Sequence, residues 1–335
     1  MKERLEQHKV EKLAGFKLQR KNRIPVIKPH QYCIEKGITV SGDAPKAFMR
    51  IYEYNKCRKS NLKTWPQYIV KTGHKWYSTE SLTEYLLNQL DLDFGLKMAE
   101  SRLAIISGQL RFMSKYFLTG SNCELVHGAE IFAGYIGDRQ FVENIEEKHL
   151  SKDLFTLQFV ENAVEYLFPM QKSTIMCNLI KMLIFDALVG NNDRHFYNWG
   201  VVRTADYNNQ PTFSPIYDTA RGLFWNESEQ KVHELLKDQN RFLKYLEKYT
   251  DNSAPKIGWD RQKNINHYKL VEKIYHAEFY FSKSEIRELL LQNILHKMLY
   301  TVNTLFKNYL SNERRLLITK CLELRYSNLY RIVNQ

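Results

Sequence analysis

The sequence GNNDRHFYNWGVV, Gly190–Val202, is followed after a polar segment by FSPIYD, Phe213–Asp218. The apolar segments 199–203 and 212–217 alternate like strands, and ADYNNQP between them has turn composition. We therefore predict a hairpin that returns Asp218 to a position beside Asn198. The preceding segment 173–189 would be apolar on nearly every face of a helix, and it ends at Gly190. This pattern predicts a buried helix.

The polar residues of this stretch have a spacing typical of phosphoryl transfer. Asp193 and Asn198 are five residues apart, as are the Asp that orients the attacking hydroxyl and the Asn that binds metal in protein-kinase catalytic loops. Asp218 beside Asn198 would add a second hard oxygen ligand, which suits Mg²⁺ with phosphate oxygens as further ligands. We predict Asp193 as the catalytic carboxylate and Asn198 and Asp218 as metal ligands.

Each of these residues also has a structural interpretation. Asn and Asp are favoured in turns, so the NND segment is also typical of the end of a helix, and Asp218 of an N-cap. For His195 we favour a structural role, as a donor that ties the loop to the rest of its lobe, over general-base catalysis. The order and spacing of the three groups favour the catalytic interpretation.

The remaining pattern predicts two lobes of different composition. Before residue 118, short alternating segments predict about five strands and one helix, 78–92, which starts with a capping box at Ser81 and Glu84. After it, the segments 153–168, 171–189, 226–249 and 264–333 have helical periodicity. We predict an α+β, two-lobed protein-kinase-like fold: an arm or helix over 1–37, a β-rich N lobe over 38–118 and a mostly helical C lobe over 119–335.

Composition excludes several classes of protein. The 335 residues exceed the roughly 250–300 that one core usually holds, and the 44% hydrophobic content is that of a globular protein. No run approaches the ~20 apolar residues of a membrane helix, and the first residues lack a signal-peptide apolar region. The 5 Cys include no CxxC pair, which favours a reducing compartment. We expect a cytoplasmic protein without membrane insertion, with signal-independent secretion into a host cell left open.

The positive charge is concentrated in the first quarter of the chain. Residues 1–75 contain 18 Lys and Arg against 6 Asp and Glu, whereas residues 76–335 contain 31 of each. Such a surplus attracts polyanions, including nucleic acid or tRNA. A solvated basic face without a dedicated partner is the alternative.

The joint motif resembles that of the HipA-like serine/threonine kinases, the toxin kinases of bacterial toxin-antitoxin systems and their CtkA-type relatives. Those proteins carry GN-x-D-x-H-x-x-N-x-G followed by P-x-(Y/F)-D, and this sequence has GNNDRHFYNWG and SPIYD. The DRHxxN order is also similar to that of phosphatidylinositol kinases. The resemblance implies ATP and Mg²⁺ as cofactors, transfer to a Ser/Thr hydroxyl of an unidentified protein, and an antitoxin partner.

Further site residues follow from the resemblance. Lys71 in YIVKTG, which spacing alone would place as a solvent-facing strand residue, matches the phosphate-contacting lysine, and Glu80 matches the glutamate that holds it, with Glu84 as the competitor. The family's S-x-S-G-x-Q-P-K loop is similar to TVSGDAPK, with Thr39 and Ser41 at the hydroxyl positions. In relatives this loop can be autophosphorylated on a hydroxyl residue, and because Ala44 replaces Gln here, the resemblance leaves open whether Thr39 or Ser41 is modified. The nucleotide-binding residues predicted in this way are Ser41, Gly42, Lys46, Lys71, Glu80, Ser114, Lys115, Tyr116, Phe117 and His195.

The sequence thus predicts an ATP- and Mg²⁺-dependent serine/threonine protein kinase of HipA-like type, with Asp193 and Lys71 as catalytic residues. Two other functions compete with it. One is phosphoryl transfer to a lipid or small molecule, which the DRHxxN order favours. The other is a pseudokinase that binds nucleotide or nucleic acid through its basic first quarter.

Overall fold

The computed structural model describes residues 24–35, 46–73, 79–119, 122–148, 150–204, 210–262 and 265–334. Its strands are β1 (Val26–Ile27), β2 (Tyr32–Ile34), β3 (Lys46–Ile51), β4 (Gln67–Thr72), β5 (Ser101–Ile106), β6 (Gln109–Lys115), β7 (Cys123–His127), β8 (Gly200–Thr204) and β9 (Thr212–Phe213). Its α-helices are α1 (Glu80–Phe94), α2 (Gly128–Ile136), α3 (Arg139–Glu147), α4 (Ser151–Leu154), α5 (Leu157–Leu167), α6 (Lys172–Val189), α7 (Glu229–Leu236), α8 (Gln239–Asp251), α9 (His267–Ala277), α10 (Lys283–Leu289), α11 (Gln292–Tyr300) and α12 (Asn312–Val333). The predicted α+β fold, with a β-rich first part and a mostly helical second part, is confirmed.

The N-terminal sheet has six strands in the order β1-β5-β6-β4-β3-β2. Its pairs are antiparallel except β1 with β5. Both β1 and β2 belong to the segment 1–37 that the sequence suggested as an arm, so the sheet extends into that segment; residues 1–23 lie outside the described residues. The predicted strand around Ile38 and Val40 also falls outside them.

Strand β4 presents its two faces to different surroundings. Tyr68 and Val70 join a small apolar cluster on one face of the sheet. Because successive side chains of a strand point to opposite faces, Lys71 lies on the other face. Its side chain is only 9% exposed, so the alternative of a solvent-facing strand lysine is wrong.

Helix α1 covers the sheet and joins the large core. Leu82, Leu86 and Leu90 are buried at a spacing of four residues and pack with apolar residues of β5 and β6. The helix begins at Glu80 with Thr79 as its N-cap. The predicted capping box of Ser81 and Glu84 is therefore wrong. Glu84 lies in the second turn of the helix, and its carboxylate contacts Lys71.

Helix α6 is the buried helix that the sequence predicted. Every residue from Met182 to Val189 is buried, against α5, α9 and α12. The helix ends at Gly190, whose φ of 67° is a left-handed conformation that glycine adopts without steric cost. The segment that contains the predicted catalytic residue Asp193 therefore begins at the fixed end of a helix in the centre of the C lobe.

The predicted hairpin exists as β8 and β9 but belongs to a three-stranded sheet in the order β7-β8-β9. Strand β7 was not predicted. Gly200 pairs with His127 across the β7 and β8 strands, and a Cβ at Gly200 would lie 2.5 Å from the Val126 carbonyl oxygen. The glycine after Asn198 and Trp199 is thus required by the close approach of β7.

Within the described segments, no helix is both long enough and apolar enough to cross a membrane.

Candidate active site

Lys71 connects the two lobes through two carboxylates. Its Nζ lies 2.6 Å from Glu84 Oε1 and 2.8 Å from Asp218 Oδ1. Burial lowers the pKa of this lysine, but the charges of Asp218 and Glu84 outweigh burial and raise it above its usual value. The ammonium group is therefore held in its charged form between β4, α1 and Asp218, which lies five positions after the end of β9.

Glu84, and not Glu80, is the carboxylate that contacts Lys71. The two glutamates are one helical turn apart on the same face of α1. Burial raises the pKa of Glu84 to about 7, against the opposing effect of Lys71. Glu80 instead lies 3.6 Å from Arg221 Nε, so the structure decides between the two alternatives that the resemblance left open, and the predicted contact of Glu80 with Lys71 is absent.

Asp218 has a cationic partner on each oxygen. Its Oδ2 lies 3.2 Å from Lys46 Nζ, while Oδ1 contacts Lys71. Burial raises the pKa of Asp218, but the two lysines more than compensate and hold it below its usual value. The residue has a φ of 55°, an uncommon conformation for a non-glycine residue that occurs at functional sites.

A fully buried ion pair anchors the segment between α6 and β8. Arg194 Nε lies 2.9 Å from Asp186 Oδ2, and both side chains are 0% exposed. Arg194 Nη1 also donates to the carbonyl oxygens of Asn198 and Tyr217, each at 3.0 Å. One guanidinium nitrogen therefore joins the backbone of Asn198 to that of Tyr217, the residue before Asp218.

Sequence reasoning did not select Arg194 or Asp186. A signal for them was present, because a lone Asp in the apolar helix 173–189 requires a buried partner. An arginine eight positions later in the chain was the nearest candidate.

Asp193 and Asn198 are joined across the turn. The Asn198 Nδ2 group donates to the Asp193 carbonyl oxygen at 2.7 Å, which leaves Asn198 Oδ1 as an acceptor. Burial raises the pKa of Asp193, while His195 and Arg221 favour its ionised form. A carboxylate with a raised pKa and 38% side-chain exposure is suited to accept a proton from a hydroxyl.

His195 makes a local contact. Its Nδ1 accepts a hydrogen bond from the Tyr197 N–H at 3.2 Å within the same turn. In this contact the imidazole is an acceptor within its own turn, whereas the structural role that we favoured made it a donor to the rest of the lobe, and that role stays a prediction. Its role in nucleotide binding stays a prediction.

The predicted nucleotide residues between the lobes lie at the end of β6. Ser114 and Lys115 belong to that strand, and the N–H groups of Lys115 and Tyr116 donate to Glu100 and Gln67 carbonyl oxygens. Phe117 lies beyond them, with its ring centroid 6.0 Å from that of Tyr217, the residue before Asp218. The connection thus runs along the same cleft. The predicted loop residues Ser41 and Gly42, with Thr39 and Ala44, lie outside the described residues.

The oxygen donors fit Mg²⁺. Asn198 Oδ1 and the Asp218 carboxylate form the donor set of a cation that takes oxygen ligands and keeps several waters. Among the described residues no cluster of three or more His, Cys, Asp or Glu side chains could hold a metal ion. A magnesium ion at this site would therefore depend on phosphate oxygens for further ligands, and it would replace a lysine as the counter-charge of Asp218.

The fold and the site together define a two-lobed kinase-like protein with a cleft between the sheet that carries Lys71 and the hairpin of β8 and β9. The profile of the HipA-like C-terminal domain matches residues 38–277. The chain belongs to this family. A search of curated proteins found no significant match.

Solved structures share the fold. The Helicobacter pylori proinflammatory kinase CtkA is similar over 92% of this chain and 96% of its own, with 18% identity and a TM-score of 0.70. The HipA of the Shewanella oneidensis MR-1 toxin-antitoxin system, solved with HipB and operator DNA, is similar over 94% of this chain and 73% of its own, with 13% identity and a TM-score of 0.51. Family and fold together support a kinase-type function.

Proposed function

We propose that this protein is a serine/threonine protein kinase that transfers the γ-phosphoryl group of ATP in the presence of Mg²⁺. The observation that carries the proposal is the position of Lys71, whose ammonium group contacts carboxylates of both lobes at 2.6 and 2.8 Å. A buried lysine between a helix glutamate and a metal-ligand aspartate is the arrangement that kinases use to hold nucleotide phosphates. Lys46 supplies a second cation at the same carboxylate.

Each residue has a definite part in the proposed reaction. The acceptor hydroxyl oxygen forms a bond to the γ-phosphorus, the bond to the β,γ-bridging oxygen breaks, and ADP leaves with that electron pair. Asp193 orients the hydroxyl and receives its proton. Lys71 and Lys46 face the phosphate charge, and Asn198 and Asp218 are the groups that would hold Mg²⁺. When bound, the ion would neutralise charge on the transferred phosphoryl group.

The test is phosphoryl transfer from radiolabelled ATP with the purified full chain, using the protein itself and dephosphorylated casein as acceptors. Asp193→Asn and Asp218→Asn should each lower transfer at least about 100-fold, because each removes a group needed in the transition state. Asp251→Asn makes the same chemical change at an exposed position at the end of α8 and should leave the rate unchanged. Wild-type rates in both site variants would refute the proposal.

Identification of the acceptor separates serine/threonine transfer from the alternatives. Phosphoproteomics of cells that express wild type or Asp193→Asn should yield phosphoserine or phosphothreonine sites specific to the wild type. Label found only on lipid or small molecules would assign the other type of phosphotransferase. Nucleotide binding with no transfer to any acceptor would assign a pseudokinase.

We also propose a polyanion contact on the N lobe. The segment 54–64 between β3 and β4 is mostly exposed, contains Lys56, Arg58, Lys59 and Lys63, and has no acidic residue. Only Lys56 has an acidic partner within the described residues, Glu53 at 3.3 Å. Nucleic acid is the partner class suggested by the charge, and an antitoxin protein is suggested by the complex of the Shewanella relative. Replacing Arg58, Lys59 and Lys63 by serine should weaken binding of a labelled tRNA and flatten its salt dependence.

A further inference from the structure

Arg221 lies three positions after Asp218 and contacts both lobes. Its Nε is 3.6 Å from Glu80 Oε1 and 3.9 Å from Asp193 Oδ2. Its guanidinium carbon lies 4.1 Å from the centroid of the Trp225 ring. A planar cation that stacks on an aromatic ring has little freedom to rotate, so its charged edge has a fixed direction between the two carboxylates.

The backbone of the same segment supports this position. The Asn192 N–H donates to the Arg221 carbonyl oxygen at 3.3 Å, which joins Arg221 to the residue before Asp193. The Thr79 hydroxyl donates to the Trp225 carbonyl oxygen at 2.9 Å. The start of α1 is therefore tied to the segment after Asp218 by a second contact that does not involve the arginine.

Helix α1 links these contacts to the nucleotide lysine. Glu80 and Glu84 are one turn apart, so a rigid movement of the helix changes both of their distances together. Glu84 is the partner of Lys71, and Glu80 is the partner of Arg221. The side chains of both glutamates are almost fully buried, at 4% and 5% exposure, which makes the loss of either partner costly.

We propose that Arg221 is a positioning residue that orients Asp193 and links it, through Glu80 and helix α1, to the placement of Lys71. The inference rests on the proposed kinase function and adds to it a residue outside the predicted site. Its consequence is that the catalytic carboxylate and the phosphate-binding lysine take their productive positions together. A surface arginine that only covers Trp225 is the alternative.

The test compares Arg221→Met with Arg139→Met, a control whose exposed arginine side chain, 78% accessible, lies on α3. Arg221→Met should lower kcat for phosphoryl transfer about 10- to 100-fold and raise the KM for ATP by a smaller factor, because Asp193 and the phosphate-binding Lys71 lose their productive positions together. The conservative Arg221→Lys variant should recover part of the rate. Added methylguanidinium should accelerate Arg221→Gly and leave the wild type unchanged.

A double-mutant cycle tests the link through Glu80. If the proposal holds, Arg221→Met in a Glu80→Gln background lowers kcat by much less than it does in the wild type. Full additivity, wild-type kcat in Arg221→Met, or a loss of kcat that parallels a loss of thermal stability without rescue would each overturn the proposal.

A readout without turnover separates this inference from the kinase proposal. In Arg221→Met, amide hydrogen exchange should increase in the peptide 79–94 of α1 and stay unchanged in the peptide 172–189 of α6. Unchanged exchange in both peptides would overturn the link even if the protein is an active kinase. Increased exchange in α1 would support the link even if the acceptor class proved to be different.

Discussion

Two ion-pair systems in this protein use the same kinds of groups for different purposes. The side chains of Arg194 and Asp186 are 0% exposed. The arginine also donates to the carbonyl oxygens of Asn198 and Tyr217, on either side of the β8–β9 hairpin. Lys71 lies at the cleft, where Glu84 is buried but Asp218 is 32% exposed. The first system is closed to solvent and ligands, whereas one carboxylate of the second can exchange its partner for a bound ion or phosphate.

The difference shows how the chain separates support from chemistry. A buried ion pair is costly to form and more costly to leave half-broken, so its value lies in fixing geometry. At the partly exposed carboxylate of Asp218 the loss of a partner costs less, because water and incoming ligands can replace that partner. Variants of the Arg194–Asp186 pair should therefore lower mainly the stability of the protein. Variants of Lys71 should lower mainly its activity.

The largest effect on stability is expected from Arg194→Met. The change leaves Asp186 buried without its cation and removes the donors to Asn198 and Tyr217. The free energy of unfolding should fall by about 3–5 kcal/mol, as for other broken buried pairs. Urea unfolding followed by circular dichroism measures it.

The matched comparison is Lys320→Met, which breaks an exposed pair with Glu323 at 2.8 Å. Its unfolding free energy should change by no more than about 0.5 kcal/mol. An Arg194→Met variant as stable as this control would show that the buried pair does not support the hairpin.

Lys71→Met should affect activity far more than stability. Phosphoryl transfer should fall about 100-fold or more, because a cation that faces the transferred phosphate is lost. The loss of unfolding free energy should be smaller than in Arg194→Met, since Asp218 is partly exposed and Glu84, with a pKa of about 7, can take up a proton. Transfer assays and urea unfolding on the same preparations test both parts.

Lys46→Met provides a graded comparison at the same carboxylate. It removes the longer contact of Asp218, at 3.2 Å, and leaves Lys71 in place. Its effect on transfer should be smaller than that of Lys71→Met. The reverse order would show that Lys46 is the principal phosphate-binding cation.

The smallest effect is expected at a third buried carboxylate, Asp91 of α1, which lacks any hydrogen-bond partner among the described residues. Burial raises the pKa of Asp91 well above its ordinary value near 3.8, against the attraction of Arg194. The folded protein therefore keeps a proton at pH values where the unfolded chain has released it. The stability of the wild type consequently falls as the pH rises from about 3.8 towards the higher pKa of the folded state.

Asp91→Asn removes that pH dependence. At pH 8 the variant should be more stable than the wild type by about 1 kcal/mol, the order of magnitude for burial of an unpartnered polar group. Near pH 3 the two proteins should be equally stable. Thermal unfolding at both pH values checks the sign, and a variant less stable than the wild type at pH 8 would contradict it.

Much of this architecture follows from local pattern. The segment 173–189 is apolar on nearly every side, which predicts a buried helix. The helix ends at Gly190 because this residue takes a left-handed conformation. The alternation on either side of the ADYNNQP turn predicts the hairpin, since strands present alternate residues to opposite faces. The spacing of Asp193, Asn198 and Asp218 predicts phosphoryl-transfer chemistry, and the roles of these three residues stay predictions.

Other features depend on contacts that spacing does not encode. Strand β7 was missed because CELVH is short and is defined by its pairing with β8, whose residues lie 73 to 81 positions later in the chain. The same holds for β1 and β2, which are two and three residues long and exist only as edges of the sheet.

The sequence does not predict which of Glu80 and Glu84 contacts Lys71. The sequence determined that two glutamates lie on one face of a helix near Lys71, because residues four apart in a helix are neighbours. Only the tertiary structure decided that Glu84 contacts Lys71 and Glu80 contacts Arg221. The physical reason is that this assignment depends on the position of α1 along its axis, which is set by packing on β5, β6 and the segment after Asp218.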